Sequence, residues 1–283
     1  MQLARPVDPL TGRALRLIDR AAAATGLRYF VAGAAARDLI LVNVFGLPPG
    51  RATRDIDLGI AVKNWDEFQE IKDHLVSSNE FEAGPGDTHR LFLKASGVLT
   101  GIPIDIIPFG GVESETQTIA WPPHRDVIMN VAGFDDALES SVLIRVEDDL
   151  AVAVASIPGL AVLKLIAWQD RRHANNKDAT DLRRLLVAYA DAGNLDRIYG
   201  EELSLLEDAG YDVELAGSQL LGRDAARICR QETRRQAVAI LSSEQLVDQL
   251  IQQMHGQAGF DDGQGAERTA ILLSRFSTGF LSA

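Results

Sequence analysis

The chain has 283 residues, 46% of them hydrophobic, and a formal net charge of −12. This composition excludes a globally disordered chain, because the apolar side chains suffice for a sizeable core. The single cysteine, Cys229, excludes an internal disulfide framework and a cysteine-rich metal site, so we expect a protein of the reducing cytoplasm.

The charge pattern also bears on membranes and nucleic acids. Residues 1–20 carry charges throughout and have no apolar core, so no signal peptide is expected. The longest uncharged run, residues 150–163, is too short to cross a bilayer and contains Pro158, so no membrane contact is expected. The acidic balance disfavours nonspecific binding to nucleic acid, although it leaves room for a local basic site.

The periodicity of the apolar residues changes along the chain. Helices are predicted at 10–25, 34–46 and 65–78, and strands at 27–33, 53–62, 89–95, 101–109 and within 143–155. From Ser156 nearly every segment is predicted to be helical, over 157–172, 177–192, 199–209, 213–239 and 243–255. We therefore expect an α+β domain with a small mixed sheet flanked by helices over residues 1–155, and a helical domain over 156–283.

The segment "RATRDIDLGIAV", residues 51–62, places Asp55 and Asp57 two residues apart in a predicted strand. Alternate strand residues share a face, so the two carboxylates are expected side by side, where a divalent cation would relieve their repulsion. Asp105, in "IPIDIIP", is a third candidate if its strand lies alongside. Three carboxylates on adjacent strands are typical of a Mg²⁺ (or Mn²⁺) site for phosphoryl transfer. Alternatively, Asp55 and Asp57 are exposed residues of a turn or an edge.

The segment "FVAGAAARDL", residues 30–39, has the pattern of a strand, a glycine turn and the start of a helix. Backbone N–H groups after Gly33 can hold a phosphate there, and Arg37 lies one helical turn further along. Taken alone, the same pattern is also typical of an ordinary strand-to-helix turn.

Together these segments resemble the nucleotidyltransferase superfamily of DNA polymerase β, which has a strand, a Gly–(Gly/Ser) turn, a helix and an Asp–hydrophobic–(Asp/Glu) pair. The chain departs from this pattern at Ala34, where Gly or Ser is usual, and therefore lacks a hydroxyl that would touch a phosphate. The resemblance implies that Gly33, Ala34, Arg37 and Arg54 bind nucleotide. It also implies that Asp55, Asp57 and Asp105 ligate metal and are catalytic.

Residues 164–186, "KLIAWQDRRHANNKDATDLRRLL", narrow this resemblance to the AbiEii-type nucleotidyltransferases, toxins of abortive-infection and toxin–antitoxin systems. Lys164 interrupts an apolar helix face, and it is either a catalytic cation for a triphosphate or a side chain that reaches past the apolar face to solvent. Lys177, Asp178 and Asp181 are implied to bind nucleotide. Asp178 and Asp181 share a helix face and could instead orient Lys164 or Arg171, cap the helix, or form a surface pair.

Four arginines further along have a helical spacing. Arg223, Arg227, Arg230 and Arg234 are predicted to share one face of a single helix over 213–239, where they could contact the phosphates of an acceptor RNA. Alternatively, they form a solvated face that pairs with Asp224 and Glu232.

The resemblance implies a Mg²⁺-dependent enzyme that transfers a nucleotidyl group from an NTP to an acceptor hydroxyl. The expected acceptor is tRNA or another RNA, and the expected role is that of a toxin opposed by a cognate antitoxin protein. A small-molecule acceptor such as an aminoglycoside, or a protein acceptor, is an alternative that suits the acidic surface. A nucleotide- or partner-binding protein with a degenerate site is the alternative of another class, and Ala34 favours it.

Overall fold

The structure, a computed structural model, describes residues 1–51, 54–84, 89–94, 101–255 and 264–283. Parts of two predicted strands, at 53 and 95, lie outside the described residues. The chain divides into two compact units, Met1–Ser156 and Ile157–Ala283. The first contains a mixed sheet with flanking helices and the second is helical, which confirms the predicted α+β fold class.

The first unit contains all the strands that the structure describes. Its elements are α1 (Pro9–Thr25), β1 (Arg28–Ala32), α2 (Gly33–Asp38), a π-helical segment (Leu39–Val44), β2 (Ile56–Val62), α3 (Trp65–Ser77), β3 (Phe81–Ala83), β4 (Arg90–Leu93), β5 (Ile102–Gly110), β6 (Thr118–Ala120), β7 (Ile128–Asn130), α4 (Phe134–Glu139), β8 (Val142–Glu147) and β9 (Leu150–Val154).

Local sequence signals fix the ends of the longer helices in this unit. The Asp8 carboxylate accepts hydrogen bonds from the backbone N–H groups of Leu10 and Thr11, and this caps α1. Gly26, with φ of 69°, ends α1 in the left-handed conformation. Asn64 caps α3 in the same way as Asp8 caps α1, by accepting from the backbone N–H of Glu67.

In the described part of the chain, seven strands form one sheet in the order β3-β4-β5-β2-β1-β9-β8. β2 and β5 are parallel neighbours at its centre, and β4 runs antiparallel to β5 on the other side. β1 is antiparallel to β2 and ends where β2 begins. This order places the predicted carboxylate strands and the glycine turn next to one another.

The two faces of β2 have different environments. Ile56, Leu58 and Ile60 are buried on one face, as expected for a strand that is covered by helices. On the other face, which carries Asp57, the strand continues under a cluster of aromatic rings. Phe30 lies 5.9 Å, between ring centroids, from both Phe109 and Phe134. The carboxylate face of the sheet therefore borders an apolar core.

The second unit is helical throughout its described residues. Its elements are α5 (Ile157–Arg171), α6 (Lys177–Ala188), α7 (Leu195–Tyr199), α8 (Leu203–Asp208), α9 (Val213–Ile228), α10 (Gln231–Leu241), α11 (Glu244–His255) and α12 (Gln264–Ser282). Among the described residues, no helix has the length and apolar character needed to cross a membrane.

Helices α9 and α12 form the centre of the second unit. A Cβ atom on Gly222 would lie 2.1 Å from the carbonyl oxygen of Phe276, and one on Gly279 would lie 2.0 Å from that of Gln219. The Ser218 hydroxyl donates a 2.8 Å hydrogen bond to the carbonyl oxygen of Leu272. The small residues therefore allow the two helix backbones to approach closely.

Candidate functional site

The glycine turn and the carboxylate strand meet directly in the first unit. Gly33 begins α2 with φ of 61°, and a Cβ atom at this position would lie 1.8 Å from Oδ2 of Asp57. Ala32, the last residue of β1, is the register partner of Asp57 on β2. The position therefore requires glycine for two reasons: the backbone has a positive φ, and the Asp57 carboxylate occupies the space of a side chain.

Asp57 and Asp105 form a pair across the two central parallel strands. They are direct register partners on β2 and β5, so their side chains point to the same face of the sheet. Asp57 is half-buried and Asp105 is buried. The sequence analysis made Asp105 a candidate on the condition that its strand lies beside that of Asp57, and the sheet order meets this condition.

Arg90, on the next strand, adds a third charged side chain beside Asp57 and Asp105, and we call these three side chains the row. It is the register partner of Asp105 on β4, and its guanidinium makes two parallel contacts with the carboxylate. Nε lies 2.6 Å from Oδ1, and Nη2 lies 2.7 Å from Oδ2. Such a two-pronged pair is among the stronger charge-assisted hydrogen bonds in proteins. The sequence analysis did not identify Arg90. The sequence shows only an arginine near the start of a predicted strand and does not indicate which strand lies beside it.

Asp55 immediately precedes β2, and its role as a metal ligand beside Asp57 stays a prediction. The ladder between β2 and β5 begins at Ile56, and Asp55 is exposed. It lines a surface pocket with Arg54, Asp38 and Asp8. An exposed carboxylate keeps its hydration, so Asp55 avoids the cost of burial that a position inside the sheet would impose.

The described residues contain no group of three His, Cys, Asp or Glu side chains arranged to hold a metal ion. The chemistry of the row still suits Mg²⁺, since carboxylate oxygens are its preferred protein ligands. In this conformation, however, the Arg90 guanidinium engages both oxygens of Asp105. The predicted three-carboxylate site is therefore not assembled by these side chains as they stand.

Arg37 and Ala34 are both buried in α2. The Arg37 side chain is 2% exposed, and Nε donates to Oδ1 of Asp38 at 2.9 Å. Its Nη2 donates to the carbonyl oxygen of Arg51 at 3.2 Å. In this conformation Arg37 supports the chain before β2, and its predicted contact with a phosphate requires the side chain to move. Ala34 presents only a methyl group, 7% exposed.

The second unit brings Lys164 together with two predicted nucleotide-binding carboxylates. The Lys164 Nζ on α5 lies 2.8 Å from Oδ2 of Asp181 and 3.1 Å from Oδ1 of Asp178, both on α6. Both carboxylates are 4% exposed, and Arg171 also contacts Asp178, at 2.8 Å. Asp181 is therefore not part of a surface pair, and the ion pairs with Lys164 and Arg171 that the other alternative required are present.

Burial alone would lower the pKa of Lys164, but the nearby carboxylates of Asp181 and Asp178 outweigh this effect and raise it above the usual value for lysine. Lys164 is therefore a fixed cation at neutral pH. Lys177, at the start of α6, is exposed, and its backbone N–H donates to Oδ1 of Asn175 at 3.1 Å.

The prediction that four arginines share one helix is wrong. The helix breaks at Cys229 and Arg230, which have extended backbone, so Arg223 and Arg227 lie on α9 and Arg234 on α10. α10 packs against α5 and α11 instead of continuing α9, and this buries Thr233. No glycine or proline marks the break, so the sequence carried no local signal for it.

Most of these arginines also have acidic or backbone partners. Arg223 lies 2.8 Å from Glu202, and Arg227 lies 3.4 Å from Asp224, the pairing that the alternative reading predicted. Arg234 donates to the backbone carbonyl of Ala283. Their contact with an acceptor RNA stays a prediction.

Comparisons with known proteins indicate the family to which the chain is similar. Residues 22–255 match the family described as "Nucleotidyl transferase AbiEii toxin, Type IV TA system". Among curated proteins, none matches the chain significantly in sequence.

Solved structures provide remote similarities. An antigenic nucleotidyltransferase-like protein from Paracoccidioides brasiliensis is 16% identical, with a TM-score of 0.43 over 72% of this chain and 93% of that one. The antibiotic-resistance factor ANT(2'')-Ia is 13% identical, with a TM-score of 0.36 over 72% and 99%. The CCA-adding enzyme of Thermotoga maritima, solved with tRNA, is 11% identical, with a TM-score of 0.26 over 98% and 82%.

Proposed function

Because the chain belongs to the AbiEii nucleotidyl transferase toxin family, we propose that it transfers a nucleotidyl group from an NTP to a hydroxyl of an RNA, with tRNA as the first acceptor to test. Family membership establishes the nucleotidyltransferase class. The acceptor, the divalent cation and a toxic role in the cell, opposed by an antitoxin, are the parts that we propose.

One observation carries the proposal: the Asp57–Asp105 pair lies directly beside the Gly33 turn. Asp57 and Asp105 are register partners, and Oδ2 of Asp57 occupies the space where a side chain at Gly33 would be. This arrangement combines negative oxygens for a Mg²⁺ or Mn²⁺ ion with the backbone N–H groups of a strand-to-helix turn. A bound divalent ion would supply charge compensation for the triphosphate.

In the proposed reaction, the acceptor hydroxyl oxygen bonds to the α-phosphorus while the bond to the bridging oxygen breaks and pyrophosphate leaves. The hydroxyl proton passes to a carboxylate, for which we propose Asp105. Gly33, Ala34, Arg37 and Arg54 remain proposed nucleotide contacts in the first unit. Of these, Arg54 lies with Asp55 at the surface pocket and is the most accessible to solvent.

The residues that we propose in the second unit have a different kind of support. Lys164 is a buried cation that two carboxylates hold in place, so it has the fixed charge expected of a catalytic lysine. The same contacts also give Asp178 and Asp181 a role in stabilising the unit. We retain Lys164 as a proposed catalytic residue and Lys177, Asp178 and Asp181 as proposed nucleotide contacts, which variants must separate from their effects on stability.

The experiment is an incubation of the purified full chain with Mg²⁺ and each α-³²P-labelled NTP in turn. Parallel reactions contain total tRNA, no RNA, or a panel of aminoglycosides. Asp57→Asn is the test variant, because it removes one charge from the row. Asp66→Asn is the matched control, because Asp66 is exposed at the first turn of α3 and lies outside the row.

We expect label on tRNA with one NTP, lost in Asp57→Asn and kept in Asp66→Asn. Label on an aminoglycoside, or on the protein alone, would replace RNA by the corresponding alternative acceptor. Absence of label in every reaction, together with absence of NTP binding by calorimetry, would refute the proposal and favour a degenerate site.

A further inference from the structure

Asp57 and Asp105 pose an electrostatic problem that Arg90 solves in this structure. Two like charges directly opposite each other on neighbouring strands repel, and burial of a carboxylate adds a desolvation cost. The Asp105 side chain is only 13% exposed. The Arg90 guanidinium compensates the charge on Asp105 through its two contacts of 2.6 and 2.7 Å.

Arg90 thereby neutralises the charge on Asp105, as a bound divalent cation would. Both oxygens of Asp105 accept from the same guanidinium, and a metal ion or an acceptor hydroxyl must use these same oxygens. Two cations compete for one carboxylate under these conditions, because Arg stays charged at every physiological pH.

The surroundings of Arg90 permit its release. Its side chain is 34% exposed, whereas that of Arg37 is 2% exposed and would leave a buried position if it moved. Arg90 also lies at the first position of β4, at the end of the strand. A guanidinium at a partly hydrated strand end regains water contacts when it moves, and a divalent cation that takes its place would compensate the charge left on Asp105.

We propose that Arg90 is a positioning residue that holds Asp105 in a resting state and competes with the divalent cation for its carboxylate. Asp105 becomes a metal ligand or a proton acceptor only after the guanidinium moves away. This inference rests on the proposed function.

The test measures Mn²⁺ affinity of the nucleotide-free full chain, by electron paramagnetic resonance of the free ion. Arg90→Gln removes the charge but keeps a polar side chain, and Arg90→Lys keeps the charge but loses the two-pronged geometry. Arg28→Gln is the matched control, because Arg28 begins β1, is 63% exposed and pairs with Glu139 at 3.0 Å. Circular dichroism and urea unfolding establish that each variant is folded.

We expect Arg90→Gln to bind Mn²⁺ about tenfold more tightly than the wild type, the effect of removing one charge-assisted hydrogen-bond partner. Arg90→Lys should fall between the two, and Arg28→Gln should match the wild type. The double variant Arg90→Gln/Asp105→Asn should lose the gain, since Asp105 is the carboxylate that Arg90 is proposed to block. A purely structural role for Arg90 would lower stability without tightening Mn²⁺ binding.

Two results would overturn the inference in different ways. If Mn²⁺ binding depends on Asp57 and labelled nucleotide is transferred, but Arg90→Gln binds Mn²⁺ equally or more weakly, then the competition is refuted while the proposed function stands. If neither the wild type nor Arg90→Gln binds Mn²⁺ and no nucleotide is transferred, both fail together.

Discussion

Replacing Lys164 with methionine tests the energetics of the charge cluster in the second unit. Methionine keeps most of the length and apolar volume of lysine but removes its charge. The variant leaves Asp181 without a cation at 2.8 Å and Asp178 without one at 3.1 Å. Both carboxylates are 4% exposed, so water cannot readily take the place of the ammonium group.

The expected loss follows from the burial of the cluster. Breaking a buried ion pair by removal of one partner costs about 3–5 kcal/mol. Arg171 remains 2.8 Å from Asp178, and its half-exposed side chain offsets part of the loss. We therefore expect the free energy of unfolding to fall by about 3 kcal/mol at neutral pH, the low end of that range.

Lys63→Met is the matched control on the surface. Lys63 is 87% exposed and pairs with Glu67 at 3.3 Å, so its loss should cost less than about 0.5 kcal/mol. A double variant, Lys164→Met/Asp181→Asn, should recover at least about 1 kcal/mol of the loss, because it removes the buried negative charge that lay 2.8 Å from the lysine.

The assay is urea unfolding followed by hydrogen exchange resolved by peptide, so that the two units are scored separately. Peptides from α5 and α6 should lose protection at lower urea in Lys164→Met, while those from β2 and β5 should not change. If Lys164→Met and Lys63→Met destabilise equally, or if Asp181→Asn adds to the loss instead of reducing it, the reasoning is refuted.

Three further predictions follow. The folded-state pKa of Lys164 is raised above its ordinary value of 10.5, so its stabilising effect is present below pH 10.5 and is lost as the pH rises through the folded pKa. The stability difference between wild type and Lys164→Met should therefore persist from neutral pH up to pH 10.5 and shrink at strongly alkaline pH. A loss of the difference near pH 7 would contradict this. Burial, with the Asp224 carboxylate 2.6 Å away, raises the pKa of the Tyr189 phenol. Burial also raises the pKa of Tyr29, so absorbance at 295 nm should show late-ionising tyrosines, and Tyr189→Phe should reduce this late step. Gly33→Ala and Gly46→Ala both place a side chain at positive φ, but the new Cβ lies 1.8 Å from Asp57 in the first variant and 3.9 Å from Ala4 in the second. Nucleotide transfer and Mn²⁺ binding should therefore fall in Gly33→Ala alone. Equal losses in both variants would show that backbone strain, and not the clash, is responsible.

The fold and part of the site could be predicted because their signals are local. Periodicity distinguished the α+β part from the helical part, and the Gly33 turn, Asp57 and Asp105 each stood out as unusual residues in apolar segments. The strand that contains Asp57 begins at Ile56, one residue after Asp55. Strand ends depend on pairing with neighbours, which a single segment does not reveal.

The pairing of Arg90 with Asp105 could not be predicted, because it depends on which strand lies beside β5 and in which register. A shift of one residue would turn Arg90 to the opposite face of the sheet. The break between α9 and α10 is similar, since it follows from the packing of α10 on α5 and α11 and not from a helix-breaking residue. Both features are set by contacts between distant segments.

The sequence by itself determined the chemistry that is available: carboxylates in central strands, a glycine that no other residue can replace, and a lysine with two acids on a following helix. These depend on residue types and short-range spacing, which the chain carries in linear form. The tertiary structure decided which charges meet. It set Arg90 on Asp105 and Lys164 between Asp178 and Asp181, because a buried charge is stable only where the fold supplies its partner.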